Sequence, residues 1–141
     1  MSKTIIIYGS TTGNCESIAE TIKNKLISKG LEVTLKNVRD AYVDELIEYD
    51  KIILGSSTWG DGELQDDFID FDRTLEGTNL ADKKVAIFGV GNSGWPSFCG
   101  SVDVLECSIK ATGATLITNS LRIDVDPAPA ELEEWTEKVA A

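Results

Sequence analysis

A chain of 141 residues, 42% hydrophobic and 26% charged, has the size and composition of one globular domain with a full core and leaves no room for a second. Thirteen Lys and Arg against 24 Asp and Glu give a net charge of −11, which opposes nucleic acid and acidic membrane surfaces and suits a basic partner face. Histidine is absent, which removes the usual general base, the usual zinc ligand and every Ser-His or Cys-His nucleophile, and Cys15, Cys99 and Cys107 lack the C-x-x-C spacing of a redox dithiol or the even number of a disulfide framework.

Strand pattern begins within three residues of the N-terminus, and nowhere is there an apolar run of about 18 residues, so neither a signal peptide nor a membrane span is expected and the location expected is cytoplasmic. The run Ile5-Ile6-Ile7-Tyr8-Gly9 predicts a first strand over 3–8. It passes through Ser10-Thr11-Thr12-Gly13-Asn14-Cys15 directly into a helical pattern over 13–29, with Cys15, Ile18, Ala19, Ile22 and Leu26 stepping by three and four, and Gly30 ends it. A strand that enters a helix through small hydroxylated residues offers unpaired N–H groups and the positive end of a helix dipole to an anion, phosphate above all. The stretch has no Lys or Arg, so it is not the G-x-x-x-x-G-K-[ST] loop of nucleotide triphosphate sites. Helix capping by its Ser and Thr explains it equally well in isolation, and the later loops decide.

Residues 31–38 alternate as a second strand with one charged face, near a sheet edge, and 42–48 read as a short helix or turn. A buried third strand over 51–56 delivers Ser57-Thr58-Trp59-Gly60-Asp61-Gly62 to its carboxyl end, followed by a helix over 65–75. A fourth strand over 84–90 leads into Gly91-Asn92-Ser93-Gly94-Trp95-Pro96-Ser97-Phe98-Cys99, then a helix over 101–112 stopped by Gly113. The last strand takes 115–119 with 121–123, Asp126-Pro127-Ala128-Pro129 breaks the chain, and a final helix carries Leu132, Trp135 and Val139. Strict alternation of strand and helix predicts an α/β fold, a doubly wound five-stranded parallel sheet, with ligands beyond the carboxyl ends of its strands.

Three loops then converge on one edge. A lone loop tryptophan is commonly packing, and Trp135 on the last helix reads as core. Two of them flanked by glycines, Trp59 and Trp95, suit stacking on a flat ring. A phosphate at one end and a planar ring system at the other describe FMN.

With Tyr8-Gly9-Ser10-Thr11-Thr12-Gly13-Asn14, Ser57-Thr58-Trp59-Gly60-Asp61, Leu64-Gln65-Asp66-Asp67-Phe68, Phe98-Cys99-Gly100 and Leu121-Arg122-Ile123-Asp124, the chain resembles the flavodoxins from end to end. No long insertion interrupts the fifth strand, the mark of the short-chain bacterial kind. The resemblance implies strand order 2-1-3-4-5 and a low-potential one-electron carrier with non-covalent FMN. It implies that Ser10, Thr11, Thr12, Gly13, Asn14 and Cys15 cradle the phosphate, that Trp59 covers the inner ring face and Trp95 the outer, and that backbone groups of Gly60, Asp61, Asn92, Ser97 and Cys99 address the polar edge. Ser57, Thr58, Gly91 and Phe98 complete the expected cofactor-binding set. Gly60 permits the peptide turn that would accept a hydrogen bond from a protonated flavin N5, stabilising the semiquinone. A second electron would make an anion near Asp61, Glu63, Asp66 and Asp67 with no base in the three loops, which is disfavoured.

Three residues depart from the family pattern. Cys15 stands where a Thr usually joins the phosphate contacts, and a thiol is a poorer donor. Trp95 replaces the usual outer Tyr, and Asn92 an acid. Six carboxylates between Asp61 and Asp72 and six more between Asp124 and Glu137 are read as steering toward redox proteins with basic docking faces rather than as merely solvated faces. A monomer is expected.

Gly89-Val90-Gly91-Asn92-Ser93-Gly94 is literally G-x-G-x-x-G, yet Trp95-Pro96 follows in place of a helix and no acid stands at the ribose position. A phosphoacceptor receiver domain would need an acid where Gly55-Ser56-Ser57 end the third strand. The alternative that remains is a small FMN-dependent NAD(P)H:quinone-type oxidoreductase, for which no second pocket is evident in the sequence.

Overall fold

The computed structural model describes residues 3–9, 14–59, 63–64, 66–75, 78–91, 100–118, 120–124 and 129–140. Strand β1 (Lys3–Gly9) is buried after its first residue, and helix α1 (Asn14–Ser28) returns the chain to β2 (Glu32–Asn37). Two 3₁₀ turns, Val38–Asp40 and Val43–Glu48, lead to β3 (Lys51–Trp59). There follow β4 (Glu63–Leu64), α2 (Asp66–Leu75), β5 (Lys84–Gly91), α3 (Gly100–Ala111), β6 (Thr115–Leu116), β7 (Leu121–Asp124) and α4 (Pro129–Ala140).

The sheet runs β2-β1-β3-β5, and its last position is shared by two lengths of chain. Strand β6 pairs with the start of β5, Lys84 opposite Thr115, while β7 pairs with its end, Phe88 opposite Leu121 and Gly91 opposite Asp124. Counted as one strand in two lengths, these complete the expected order 2-1-3-4-5, every pairing parallel. The two-residue β4 adds an antiparallel flap, Thr58 opposite Leu64 and Trp59 opposite Glu63, which no periodicity in so short a stretch announces. The second strand ends at Asn37, one residue before the expected boundary, because the Asn37 Oδ1 accepts the Arg39 N–H at 3.0 Å and opens the first 3₁₀ turn.

Period-two alternation of the strands builds two cores. Ile5, Ile7, Ile52, Leu54, Val85 and Ile87 face α2 and α3, where Phe71, Leu75, Val102, Leu105 and Ile109 meet them. Ile6, Tyr8, Ile53, Ala86 and Phe88 face the stripe of α1, Ile18, Ala19, Ile22 and Leu26, and that of α4, Leu132, Trp135 and Val139. Central strands covered on both faces must be apolar at every position, which is why β1, β3 and β5 read as unbroken runs. Edge strand β2 is only half-buried.

Gly30 is required by its backbone angle and Gly55 by packing. Gly30, at φ 88°, ends α1 with its N–H on the Ile27 carbonyl at 3.0 Å and the Leu31 N–H on the Leu26 carbonyl at 3.2 Å, a Schellman closure. Gly55 lies opposite Phe88, and a Cβ there would stand 2.0 Å from the Phe88 ring. That ring meets Trp135 edge-on, centroids 6.1 Å apart at 71°, so Trp135 is core as expected.

Candidate functional site

The strands position the site by where they stop. Gly9 lies opposite Ser56, Ser57 opposite Val90, and Gly91 opposite Asp124. Strands β1, β3, β5 and β7 therefore release the chain at one edge of the sheet. From β1 the connection runs to β2 on one side, and the next strand, β3, lies on the other. The carboxyl ends of β1 and β3 thus flank the topological switch point, the place where doubly wound sheets leave a crevice.

Each helix begins at this same edge, because a chain joining parallel strands must run back between them. Only residues 10–13 separate the end of β1 from the start of α1, so the unpaired N–H groups of that helix open beside the switch point. Charge follows the same polarity. Glu16 and Asp103 lie in first turns, Asp66 and Asp67 open α2, Glu63 opens β4 opposite Trp59, and Asp124 ends β7 at this edge. At the opposite edge stand Lys25, Arg73, Lys110 and Lys138 in last turns, with Lys3, Lys51 and Lys84 opening strands.

Of the residues expected to bind cofactor, Asn14 and Cys15 are the first two of α1, Ser57, Thr58 and Trp59 the last three of β3, and Gly91 the last of β5. The topology brings these together at the switch-point edge. Ser10, Thr11, Thr12, Gly13, Gly60, Asp61, Asn92, Trp95, Ser97, Phe98 and Cys99 lie outside the described residues.

Sequence reasoning missed one buried phenol just beneath this edge. Tyr8, 8% exposed, precedes the last residue of β1 and faces Asn37 in the β1–β2 register. Its phenol lies within electrostatic reach of Glu16. Burial first, and then the Glu16 charge, pushes the phenol pKa above its ordinary value. No periodicity signals this placing, since it depends on register between strands nearly thirty residues apart.

Elsewhere, a cleft of about 310 Å³ between α2 and α3 is lined by Asp72, Arg73, Cys107, Ser108 and Ala111, toward the opposite edge. Among the described residues no group of three or more His, Cys, Asp or Glu could hold a metal ion, and no helix is long and apolar enough to cross a membrane.

A family model described as Flavodoxin matches residues 6–138. The chain belongs to the flavodoxin family. It is 46% identical over 143 residues to a flavodoxin of Maridesulfovibrio salexigens, covering 99% of this chain and 98% of the relative. Oxidised Flavodoxin 2 from Bacillus cereus superposes with a TM-score of 0.94 at 39% identity, over 99% of this chain and 98% of that one. The Fusobacterium nucleatum flavodoxin bound to flavin mononucleotide shares the fold, with a TM-score of 0.84 at 20% identity over 99% of this chain and 95% of that one. The sheet order described above is thus that of a flavodoxin fold, and the likeness covers 99% of this chain.

Proposed function

We propose that this flavodoxin holds FMN non-covalently across its carboxyl edge and serves as a one-electron carrier rather than an enzyme. The observation that carries the reading is the convergence, at one switch point, of the ends of β1, β3 and β5 with the open N-terminus of α1. The donor set fits a phosphate ester: neutral N–H and hydroxyl groups at a helix start, with the dipole supplying the positive field. In this reading residues 10–15 bind the phosphate, and Trp59 and Trp95 flank the ring and exclude water from its faces. Ser57, Thr58, Gly60, Asp61, Gly91, Asn92, Ser97, Phe98 and Cys99 surround its edges. When bound, FMN supplies one-electron chemistry, here between semiquinone and hydroquinone at low potential. Gly60 is the residue whose peptide can turn at little cost toward the ring nitrogen that gains a proton.

The charge polarity supports the partners proposed. Acids gathered at the carboxyl edge of a chain of net charge −11 would steer that edge toward basic faces of reductases and electron acceptors. A monomer acting in the cytoplasm completes the reading.

The test is an anaerobic dithionite titration of the purified protein followed in the visible spectrum. A yellow protein that passes through a blue intermediate before bleaching is the expected result. Direct bleaching together with reduction by NAD(P)H would support the quinone-type oxidoreductase instead, and a protein unable to take up FMN would refute both.

A further inference from the structure

The cleft between α2 and α3 lies apart from every residue assigned to the flavin, yet its walls carry a carboxylate, a guanidinium and a thiol. At about 310 Å³ it matches the smaller of the cavities that take up small molecules. The second half of α2 contributes Asp72 and Arg73, and the second half of α3 contributes Cys107, Ser108 and Ala111. The short side chains from α3 leave the space open. Cys107 is a free thiol exposed to solvent, and Arg73 is exposed as well. The Asp72 Oδ1 differs, being buried with no hydrogen-bond donor among the described residues. Its neighbour Arg73 does not supply one, since adjacent residues of a helix do not face each other. A buried carboxylate oxygen without a donor is held at a cost that an N–H group entering the cleft would remove.

A group seated on Asp72 is thus best a cation, and one seated on Arg73 an anion. An ammonium and a carboxylate on one small molecule make an amino-acid head, and the thiol across the cleft can bond to sulfur. We infer that this cleft takes up a low-molecular-weight disulfide bearing an amino-acid head, and that Cys107 is the residue it modifies. The Cys107 sulfur, as thiolate, attacks one sulfur of the bound disulfide. A new S–S bond forms as the old one breaks, and the other half leaves as a thiol that carries away the proton given up by Cys107. The Cys107 sulfur is oxidised and the departing sulfur reduced, with no further oxidant. Asp72 holds the ammonium and Arg73 the carboxylate during the exchange. The cleft lies toward the edge opposite the proposed cofactor, so the inference stands apart from the FMN reading.

The test compares the rates at which the purified protein is modified by glutathione disulfide and by hydroxyethyl disulfide, which has no charged groups, followed by intact mass and peptide mapping. The ratio of the two rates at Cys107 is expected to be about tenfold higher in native than in urea-unfolded protein, the unfolded ratio correcting for the intrinsic reactivity of each reagent. Asp72→Asn and Arg73→Gln are each expected to lower the native ratio by about threefold or more. Glutathione disulfide is an anion, so loss of the Asp72 charge would by field alone speed its attack, and a fall marks a bound ammonium instead. Modification confined to Cys15 or Cys99, a native ratio no higher than the unfolded one, or a ratio unchanged or raised in either variant overturns the inference. Arg73→Gln, at an exposed position, decides the matter should Asp72→Asn not fold.

Discussion

The two edges of the sheet are built on opposite plans. At the edge where strands begin, several polar groups are paired internally. The buried Lys51 ammonium donates to the Val139 carbonyl at 2.7 Å, closing the end of α4, and Lys83 donates to the Ile47 carbonyl at 2.9 Å. The backbone is tied there as well, Asp50 N–H to Lys3 at 2.9 Å and Lys84 N–H to Asp50 at 3.1 Å. At the edge where strands stop, β1 and β5 end in glycine and α1 opens with its N–H groups unpaired by the helix itself. Among the described residues, these side-chain and backbone ties lie at the edge where strands begin.

Changes in the middle or at the closed edge should therefore alter stability and spare cofactor affinity, and changes at the open edge the reverse. The largest effect expected is from Gly55→Ala, whose Cβ collides with the Phe88 ring, at about 3 kcal/mol by urea unfolding of the apoprotein. Adding Phe88→Leu should recover part of that loss, and failure to do so would show that the clash is not its cause. Lys51→Ala should cost about 2 kcal/mol by leaving the Val139 carbonyl buried without its donor.

Lys51 also carries a pH signature. Burial first, and then the Lys84 charge, pulls its pKa below the ordinary lysine value. The unfolded state then binds more protons between the depressed and the ordinary values, so wild type gains stability as pH rises through that window. The Lys51→Ala variant should lack this alkaline gain in pH-dependent unfolding.

At the open edge, Trp95→Ala should raise the FMN Kd about tenfold and leave the apoprotein unfolding midpoint unchanged. A large loss of apoprotein stability would mean that this tryptophan packs rather than stacks. The smallest effect belongs to Glu45, whose carboxyl is held below its usual pKa, chiefly by the Lys36 ammonium and also by the Tyr42 N–H at 2.8 Å. That contribution is present above the ordinary Glu range and lost as pH falls toward the depressed value. Glu45→Gln should thus shift the acid-unfolding midpoint slightly upward and leave neutral-pH FMN affinity untouched.

What the sequence made legible follows from which forces have a period. Ile5-Ile6-Ile7 and Val85-Ala86-Ile87 announce strands covered on both faces, and Ile18, Ile22 and Leu26 announce the inner stripe of α1, because burial repeats with the geometry of each element. Contacts set by register between distant strands have no such period. The Gly55, Phe88 and Trp135 stack, the β4 flap and the placing of Tyr8 near the Glu16 charge were accordingly invisible. The fifth position, read as 115–119 with 121–123, is shorter in its first length, Thr115–Leu116, and runs to Asp124 in its second, with the Ser120 hydroxyl donating to Glu106 of α3 between them. The candidate site was legible as motif and edge. Asn14 and Cys15 fall at the expected start of the first helix, whereas Ser57, Thr58 and Trp59, expected in the loop after a strand over 51–56, are the last residues of β3, and Gly91 lengthens β5 by one; the loop residues between them rest on resemblance to the flavodoxins.

The central claim is that one edge binds and the other holds. Hydrogen exchange of the apoprotein with and without FMN, read by mass spectrometry, tests it most directly. The account predicts added protection across residues 10–18, 57–62 and 91–99, with the segments that begin β1, β3 and β5 unchanged. Uniform protection of both edges, or protection centred on the cleft between α2 and α3, would contradict it.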